Sequence, residues 1–317
     1  MPQKDIDKEL VSAVQAGSAA KVSELLACGA YPRSCSSAAL RVAAGRGHVE
    51  CVRLLLPASD PTDRDSEALR LAAENGHAEC VRLLLPLSDP KSSNSQALRS
   101  AANKGHGQCV RLLVPVSDPR SCNSAALLVA AEHGHEECAR LLLPVSDPKA
   151  NDSLALKLAA SNGHAECVKL LLPVSDPRAE DSDALRWAAG NGHAECVRML
   201  LPGSDAKAAG SAALRWAAKN GHAECVRLLM TASGPLRAID GLLDQVIEGG
   251  SAKVAALVIA EEPRLLEGVD FSKCIAEALE NSHGDLASYL SSIIEQRELV
   301  GVAPNAAACG GHRHARL

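Results

Sequence analysis

The chain has 317 residues, of which 47% are apolar but only 2% are aromatic, so its core must consist of Leu, Ala, Val and Cys rather than rings. This composition excludes most aromatic-rich folds and wholesale disorder. The formal net charge of -5 and the pI near 6.1 disfavour a generally basic nucleic-acid-binding protein.

Neither a membrane span nor a secretory signal is predicted. No apolar run approaches the roughly 18 residues that a transmembrane helix needs. The first residues, Met1–Asp5, are not followed by the apolar segment and cleavage site of a secretory signal peptide. The twelve cysteines favour a reducing compartment over a disulfide framework, so we expect a cytoplasmic, monomeric protein. Seven of these cysteines stand 29 residues apart: Cys51, Cys80, Cys109, Cys138, Cys167, Cys196 and Cys225.

The same 29-residue period governs most of the chain, because a Gly-His pair recurs three residues before each of these cysteines. Internal repeats of this length predict a solenoid, in which each repeat contacts only its neighbours. Chain length then measures the number of repeats, and we expect one elongated domain. The pairs are Gly47-His48, Gly76-His77, Gly105-His106, Gly134-His135, Gly163-His164, Gly192-His193 and Gly221-His222.

Each copy contains the pattern of two short helices, as the sixth copy illustrates. Ser182 is suited to an N-cap, and Leu185, Ala188 and Ala189 form an apolar stripe at helical spacing. Gly192 can adopt the left-handed conformation that ends the first helix.

The second helix is predicted to start near Ala194 and to end before Pro202. Glu195 and Arg198 are placed to form an exposed ion pair. Its buried stripe is predicted to comprise Cys196, Val197, Leu200 and Leu201.

Residues 68–85 read Ala-Leu-Arg-Leu-Ala-Ala-Glu-Asn-Gly-His-Ala-Glu-Cys-Val-Arg-Leu-Leu-Leu and resemble the ankyrin repeat, Pro-Leu-His-x-Ala-Ala-x-x-Gly-His-x-x-Val-Val-x-Leu-Leu-Leu. The match recurs seven times over about residues 36–231. Weaker units at Leu10–Ala30, Leu243–Ile259 and Ile275–Leu290 are similar to further copies. The resemblance implies an all-α, ankyrin-like helix-turn-helix solenoid that binds proteins without catalysis.

The sequence departs from the ankyrin family in the connection between repeats. The family period is usually 33 residues, so four are missing here, where the family carries a β-hairpin finger. We therefore expect short inter-repeat loops with little or no β-hairpin. The predicted segments are an N-terminal capping unit at 1–35, seven repeats at 36–235, two divergent C-terminal units at 236–296 and a disordered tail at 297–317.

Catalytic and metal sites are disfavoured. His48 and Cys51 could form a nucleophilic pair, but the same pair recurs in seven equivalent places, whereas catalysis needs one unique constellation. Ligands from stacked repeats lie too far apart to share a zinc ion. Cys309, His312 and His314 in the tail are an adventitious metal cluster at most. We predict no enzyme activity and no cofactor.

Two columns of cations are the remaining surface feature. They either pair with an aspartate column in the turns or remain open to a partner with an acidic surface. In an ankyrin-like stack the first column would lie along the concave side. It comprises Arg41, Arg70, Arg99, Lys157, Arg186 and Arg215; the second comprises Lys91, Arg120, Lys149, Arg178 and Lys207; the aspartates are Asp60, Asp89, Asp118, Asp147, Asp176 and Asp205.

The only two tryptophans, Trp187 and Trp216, occupy the same position in adjacent copies. Flanked by arginines, they have the composition of an interface hot spot, although a packed flank of the stack is the alternative. We predict a protein–protein interaction scaffold, with anion or nucleic-acid binding as the alternative function. The resemblance also permits a protein that bacteria deliver into host cells. The predicted partner-binding residues are Arg70, Arg99, Lys157, Arg186, Trp187, Arg215 and Trp216.

Overall fold

A computed structural model describes residues 3–239, 241–267 and 269–302. These residues form twenty α-helices and four short 3-10 helices, and they contain no strand. The predicted all-α fold without β-hairpins is therefore confirmed. Contacts divide the chain into two compact units, one ending at Glu180 and the other beginning at Asp181. The division of the chain into four segments stays a prediction.

The helices alternate along the chain as the first and second members of successive pairs. Those before the unit boundary are α1 Gln3–Gln15, α2 Ala19–Ala27, α3 Ser34–Arg46, α4 Val49–Leu55, α5 Asp63–Glu74, α6 Ala78–Leu84, α7 Ser92–Asn103, α8 Gly107–Leu113, α9 Ser121–Glu132, α10 Glu136–Leu142, α11 Ala150–Ser161 and α12 Ala165–Leu171. The boundary falls inside α13 Ala179–Gly190, which is followed by α14 Ala194–Leu200, α15 Ala208–Lys219, α16 Ala223–Ser233, α17 Leu242–Glu248, α18 Ala252–Glu261, α19 Phe271–Glu280 and α20 Gly284–Val302.

The core of each copy is a narrow apolar layer. In α7, Leu98 and the small Ala101 and Ala102 are fully buried, and in α8 so are Cys109 and Leu113. Burying one leucine contributes about 1.5–3 kcal/mol, so helices of seven residues become stable by packing on their neighbours rather than alone. Leu201 departs from the predicted buried stripe, since it is only half-buried.

A glycine and a histidine join successive copies. Gly105 follows the end of α7 with a φ of 74°, and a Cβ there would lie 2.6 Å from Nδ1 of His135 in the next copy. The His135 ring bonds through Nε2 to the Asn103 carbonyl oxygen at 3.0 Å. His77 and His164 bond to the preceding copy in the same way. In these three copies the turn histidine thus binds backbone of the preceding copy.

In the first helix of each of the seven copies, three consecutive left-handed residues directly follow the first residue, a feature that was not predicted from the sequence. In α11 these are Asn151, Asp152 and Ser153, with φ values of 51°, 55° and 61°. The equivalent Ser182 also has a positive φ, and its Oγ accepts the Asp205 N–H at 2.9 Å. The prediction that Ser182 is an N-cap is therefore wrong.

A buried serine anchors the turn that follows the second helix in six copies. Ser95 is fully buried, and its Oγ accepts the Asp118 N–H at 2.8 Å. This contact, which we call the serine anchor, holds the turn against the first helix. The six serines are Ser37, Ser66, Ser95, Ser124, Ser153 and Ser182, with donor–acceptor distances of 2.8–3.0 Å.

The last copy and the C-terminus differ from the pattern. Thr231 stands where the other six copies have proline, and α16 continues to Ser233. Helix α20 continues to Val302, past the predicted start of the tail at residue 297. Within the described residues, no helix is both long and apolar enough to cross a membrane.

Candidate functional site

The repeated cysteines are buried and weakly acidic. Burial raises the pKa of the Cys138 thiol to about 12 and that of Cys80 to about 11. A nucleophilic thiolate is therefore suppressed at neutral pH. The described residues contain no group of three or more His, Cys, Asp or Glu side chains that could hold a metal. Cys309, His312 and His314 lie outside the described residues.

The predicted partner-binding cations of the first unit are half-buried, and two of them have acidic partners. Arg70 contacts Glu67 at 3.3 Å and Glu74 at 2.6 Å. The Lys157 ammonium lies 2.5 Å from a carboxylate oxygen of Glu180. Arg99 instead donates to the Ser93 carbonyl oxygen at 3.1 Å and to the side chain of Gln96.

The aspartates of the turns bind backbone. Asp118 Oδ1 accepts the Arg120 N–H at 3.1 Å. Hydrogen bonds from the Thr62 hydroxyl and N–H lower the pKa of Asp60. Three first-column arginines pair with other carboxylates instead. Arg41 contacts Glu67, Arg70 contacts Glu67 and Glu74, and Arg186 contacts Asp183. The predicted pairing of these arginines with the aspartate column is therefore wrong.

The second unit brings three predicted site residues into one cluster, the indole patch, which consists of Arg186, Trp187 and Trp216. The Trp187 and Trp216 rings meet edge to face, with centroids 5.5 Å apart and planes at 78°. The Arg186 guanidinium carbon lies 5.5 Å from the Trp216 centroid, within cation–π range, and Arg186 also contacts Asp183. Trp187 and Trp216 remain 36% and 40% exposed.

Gly190 makes room for the Trp216 indole. A Cβ at Gly190 would lie 3.1 Å from Cε3 of Trp216, closer than ordinary van der Waals contact. The Asn220 side-chain amide donates to the Gly190 carbonyl oxygen at 2.6 Å. Five other copies have a larger residue at this position: Glu74, Asn103, Glu132, Ser161 and Lys219. A glycine at position 190 could therefore have pointed to the indole patch from the sequence, but it was not recognised there.

Arg215 points away from this ring contact. Its guanidinium donates to the Ala209 carbonyl oxygen at 3.0 Å and lines a cleft that also contains Lys207. Of the seven predicted residues, the structure therefore groups Arg186, Trp187 and Trp216. Arg70, Arg99 and Lys157 belong to the first unit.

The comparisons with known proteins identify the class. The family model for ankyrin repeats (3 copies) matches residues 10–97, 86–152 and 156–238, more than half of the chain, so the chain belongs to the ankyrin-repeat family. The crystal structure of the human ASB11 ankyrin repeat domain is similar in fold, with 22% identity and a TM-score of 0.54 over 62% of this chain and 98% of that one. The search of curated proteins gave no match. Ankyrin repeats are generally protein–protein interaction scaffolds and typically non-enzymatic.

Proposed function

We propose that this chain is a non-catalytic scaffold that binds a partner protein through the first-helix face of its repeats. The binding site is centred on the indole patch and the neighbouring Arg215. The partner presents an apolar surface to the indoles and acidic groups beside them. Arg70, Arg99 and Lys157 extend the same type of face in the first unit.

The exposed tryptophan pair is the observation that carries this proposal. Trp187 and Trp216 are the only tryptophans of the chain, and more than a third of each remains exposed although each is flanked by an arginine. Their edge-to-face contact and the Arg186 guanidinium hold the rings in place, so binding would cost little side-chain entropy. Tryptophan and arginine are the residues most enriched at interface hot spots.

The test is affinity capture from a lysate of the source cell, comparing the native chain with a variant in which Arg186, Trp187, Arg215 and Trp216 are changed to Ala. We expect mass spectrometry to identify a partner that only the native chain retains. The matched control changes Arg198 and Arg227 to Ala in the same two copies; these arginines lie on the second helices and pair with Glu195 and Glu224. Melting by circular dichroism checks that both variants fold.

A direct binding experiment with the captured partner then locates the interface. Labelling the chain with 5-fluorotryptophan gives two fluorine resonances, both from the indole patch. We expect both resonances to shift or broaden as the partner is added. A partner that binds the four-residue variant as tightly as the native chain, or that leaves both resonances unchanged, refutes the proposed site.

Nucleic-acid binding is the less favoured alternative. Several first-column cations already pair with Glu or Asp, which weakens their electrostatic attraction for phosphates. The net charge of -5 also opposes the binding of nucleic acid. Binding of a random oligonucleotide at about 50 mM salt, where such contacts are strongest, would reopen this alternative. The cytoplasmic location stays a prediction.

A further inference from the structure

A cleft of about 400 Å³ lies beside the start of α15 in the second unit. Lys207, Ser211 and Arg215 line one side, and Ser233, Pro235 and Ile239, from the end of α16 and the segment after it, line the other. Lys207 and Arg215 are the last members of the two cation columns, so both columns end at this cleft.

The cleft exists because the seventh copy lacks the serine anchor. Without a proline at Thr231, α16 continues to Ser233. Gly234 follows with a φ of 88° and a ψ of -162°, a conformation that is essentially restricted to glycine. Gly234 also replaces the aspartate whose N–H would bond to the serine. Within the described part of the chain, the Ser211 hydroxyl makes no hydrogen bond.

Two serine hydroxyls at the cleft therefore have no hydrogen-bond partner among the described residues. Ser211 is 4% exposed and Ser233 is 5% exposed, and Ser233 Oγ has no hydrogen-bond partner. Ser59 and Ser146, which match Ser233 in other copies, also lack a partner, so Ser211 is the distinguishing group. The Ser211 hydroxyl, which the anchor does not occupy, is free to donate to a ligand in the cleft.

The two cations of the cleft also lack acidic partners among the described residues. Arg215 donates only to a carbonyl oxygen, and its Nε is buried without a partner. The reason is Ala212, which stands where Asp183 pairs with Arg186 in the preceding copy. The Lys207 ammonium makes no ion pair with any described residue, and none of the residues described as lining the cleft is acidic. Within the described part of the chain, the cleft thus carries two positive charges without an acidic partner.

We propose that this cleft binds a phosphate monoester. Such a group carries about -1.5 to -2 charge at pH 7 and three acceptor oxygens, which match two cations and the Ser211 hydroxyl. A carboxylate would bring half the charge and fewer acceptor sites. Pro235 and Ile239 line the rest of the cleft and would contact the organic group of the ester.

Calorimetric titration with three probes tests the ligand chemistry: phenyl phosphate, inorganic phosphate and benzoate. We expect phenyl phosphate to bind most tightly, inorganic phosphate more weakly because it lacks the organic group, and benzoate least. The affinity for phenyl phosphate should rise between pH 5 and pH 7.5, because the second phosphate proton is lost near pH 6. Equal affinity for benzoate, or no phosphate binding at millimolar concentration, overturns the proposal.

Two variants test the location of the site. Lys207→Met and Ser211→Ala should each weaken phenyl phosphate binding about tenfold, the effect expected for loss of one charge-assisted hydrogen bond. The matched control is Lys149→Met, because Ser153 in that copy already accepts the Asp176 N–H at 2.8 Å. The control should bind like the native chain.

An equal loss in the Lys149 control would show diffuse electrostatic attraction and overturn the site. Unchanged binding in both the Lys207 and the Ser211 variants would overturn it as well. Neither residue belongs to the indole patch or to the four-residue variant, so loss of phosphate binding and loss of partner binding are separable results. Thermal unfolding of each variant confirms that it is folded.

Discussion

Asp152 and its counterparts carry a backbone conformation that most residues avoid. A left-handed φ costs an L-residue about 1–2 kcal/mol, and Gly, Asn and Asp bear it best. The middle residue of the left-handed turn is one of these types in six of the seven copies: Asp65, Asn94, Asn123, Asp152, Asp181 and Gly210. This pattern was visible in the sequence, but the neighbouring serine suggested an ordinary N-cap instead.

Substitution of Asp152 tests the left-handed turn. We expect Asp152→Ala to be less stable than Asp152→Gly by about 1 kcal/mol, because only glycine adopts this φ without steric cost. Both variants lose the carboxylate, so each is the other's control. Urea unfolding followed by circular dichroism measures the difference, and equal stabilities would contradict the assigned conformation.

The short helices and their turns form one structural element in each copy. The proline ends the second helix, and the serine anchor then holds the chain against the first helix. Where the proline is absent, in the seventh copy, α16 lengthens and the anchor is lost. One local change thus alters both a helix end and a distant hydrogen bond.

Paired serine substitutions test the anchor. Ser95→Ala should cost about 1–2 kcal/mol, because it leaves the Asp118 N–H without its acceptor. Ser211→Ala provides the control, since Ser211 accepts no such bond and the same atoms are removed. Its expected cost is below about 0.5 kcal/mol. Equal costs in urea unfolding would show that the anchor does not stabilise the turn.

Across the whole molecule, the period places one buried thiol in each of the seven copies, and burial raises the pKa of six of them to about 11 or 12. A thiol in the unfolded chain ionises near pH 8.5. The unfolded state therefore binds fewer protons than the folded state above that pH. The stability is fully present below the unfolded pKa and is lost as the pH rises toward the folded value.

Alkaline unfolding tests this coupling. We expect the free energy of unfolding to fall between pH 8.5 and 10.5, by up to about 1.4 kcal/mol per pH unit for each buried thiol. Cys138→Ala should start lower at pH 7.5 because it leaves a cavity, yet decline less steeply. Urea midpoints over this pH range measure both slopes. Parallel declines would show that the Cys138 thiol does not contribute.

The sequence by itself determined the repeat, the helix pairs, the buried Leu-Ala-Cys layer and the family, because periodic burial and helix-ending residues are local properties that recur in register. It also identified Trp187 and Trp216 as the exception to that pattern. The tertiary structure decided that Arg41 and Lys157 pair with carboxylates of the next copy, because those partners lie more than twenty positions away along the chain. The serine anchors and the Ser211 cleft likewise depend on contacts between residues more than twenty positions apart. The left-handed turns depend on backbone angles that a pattern of side chains does not specify.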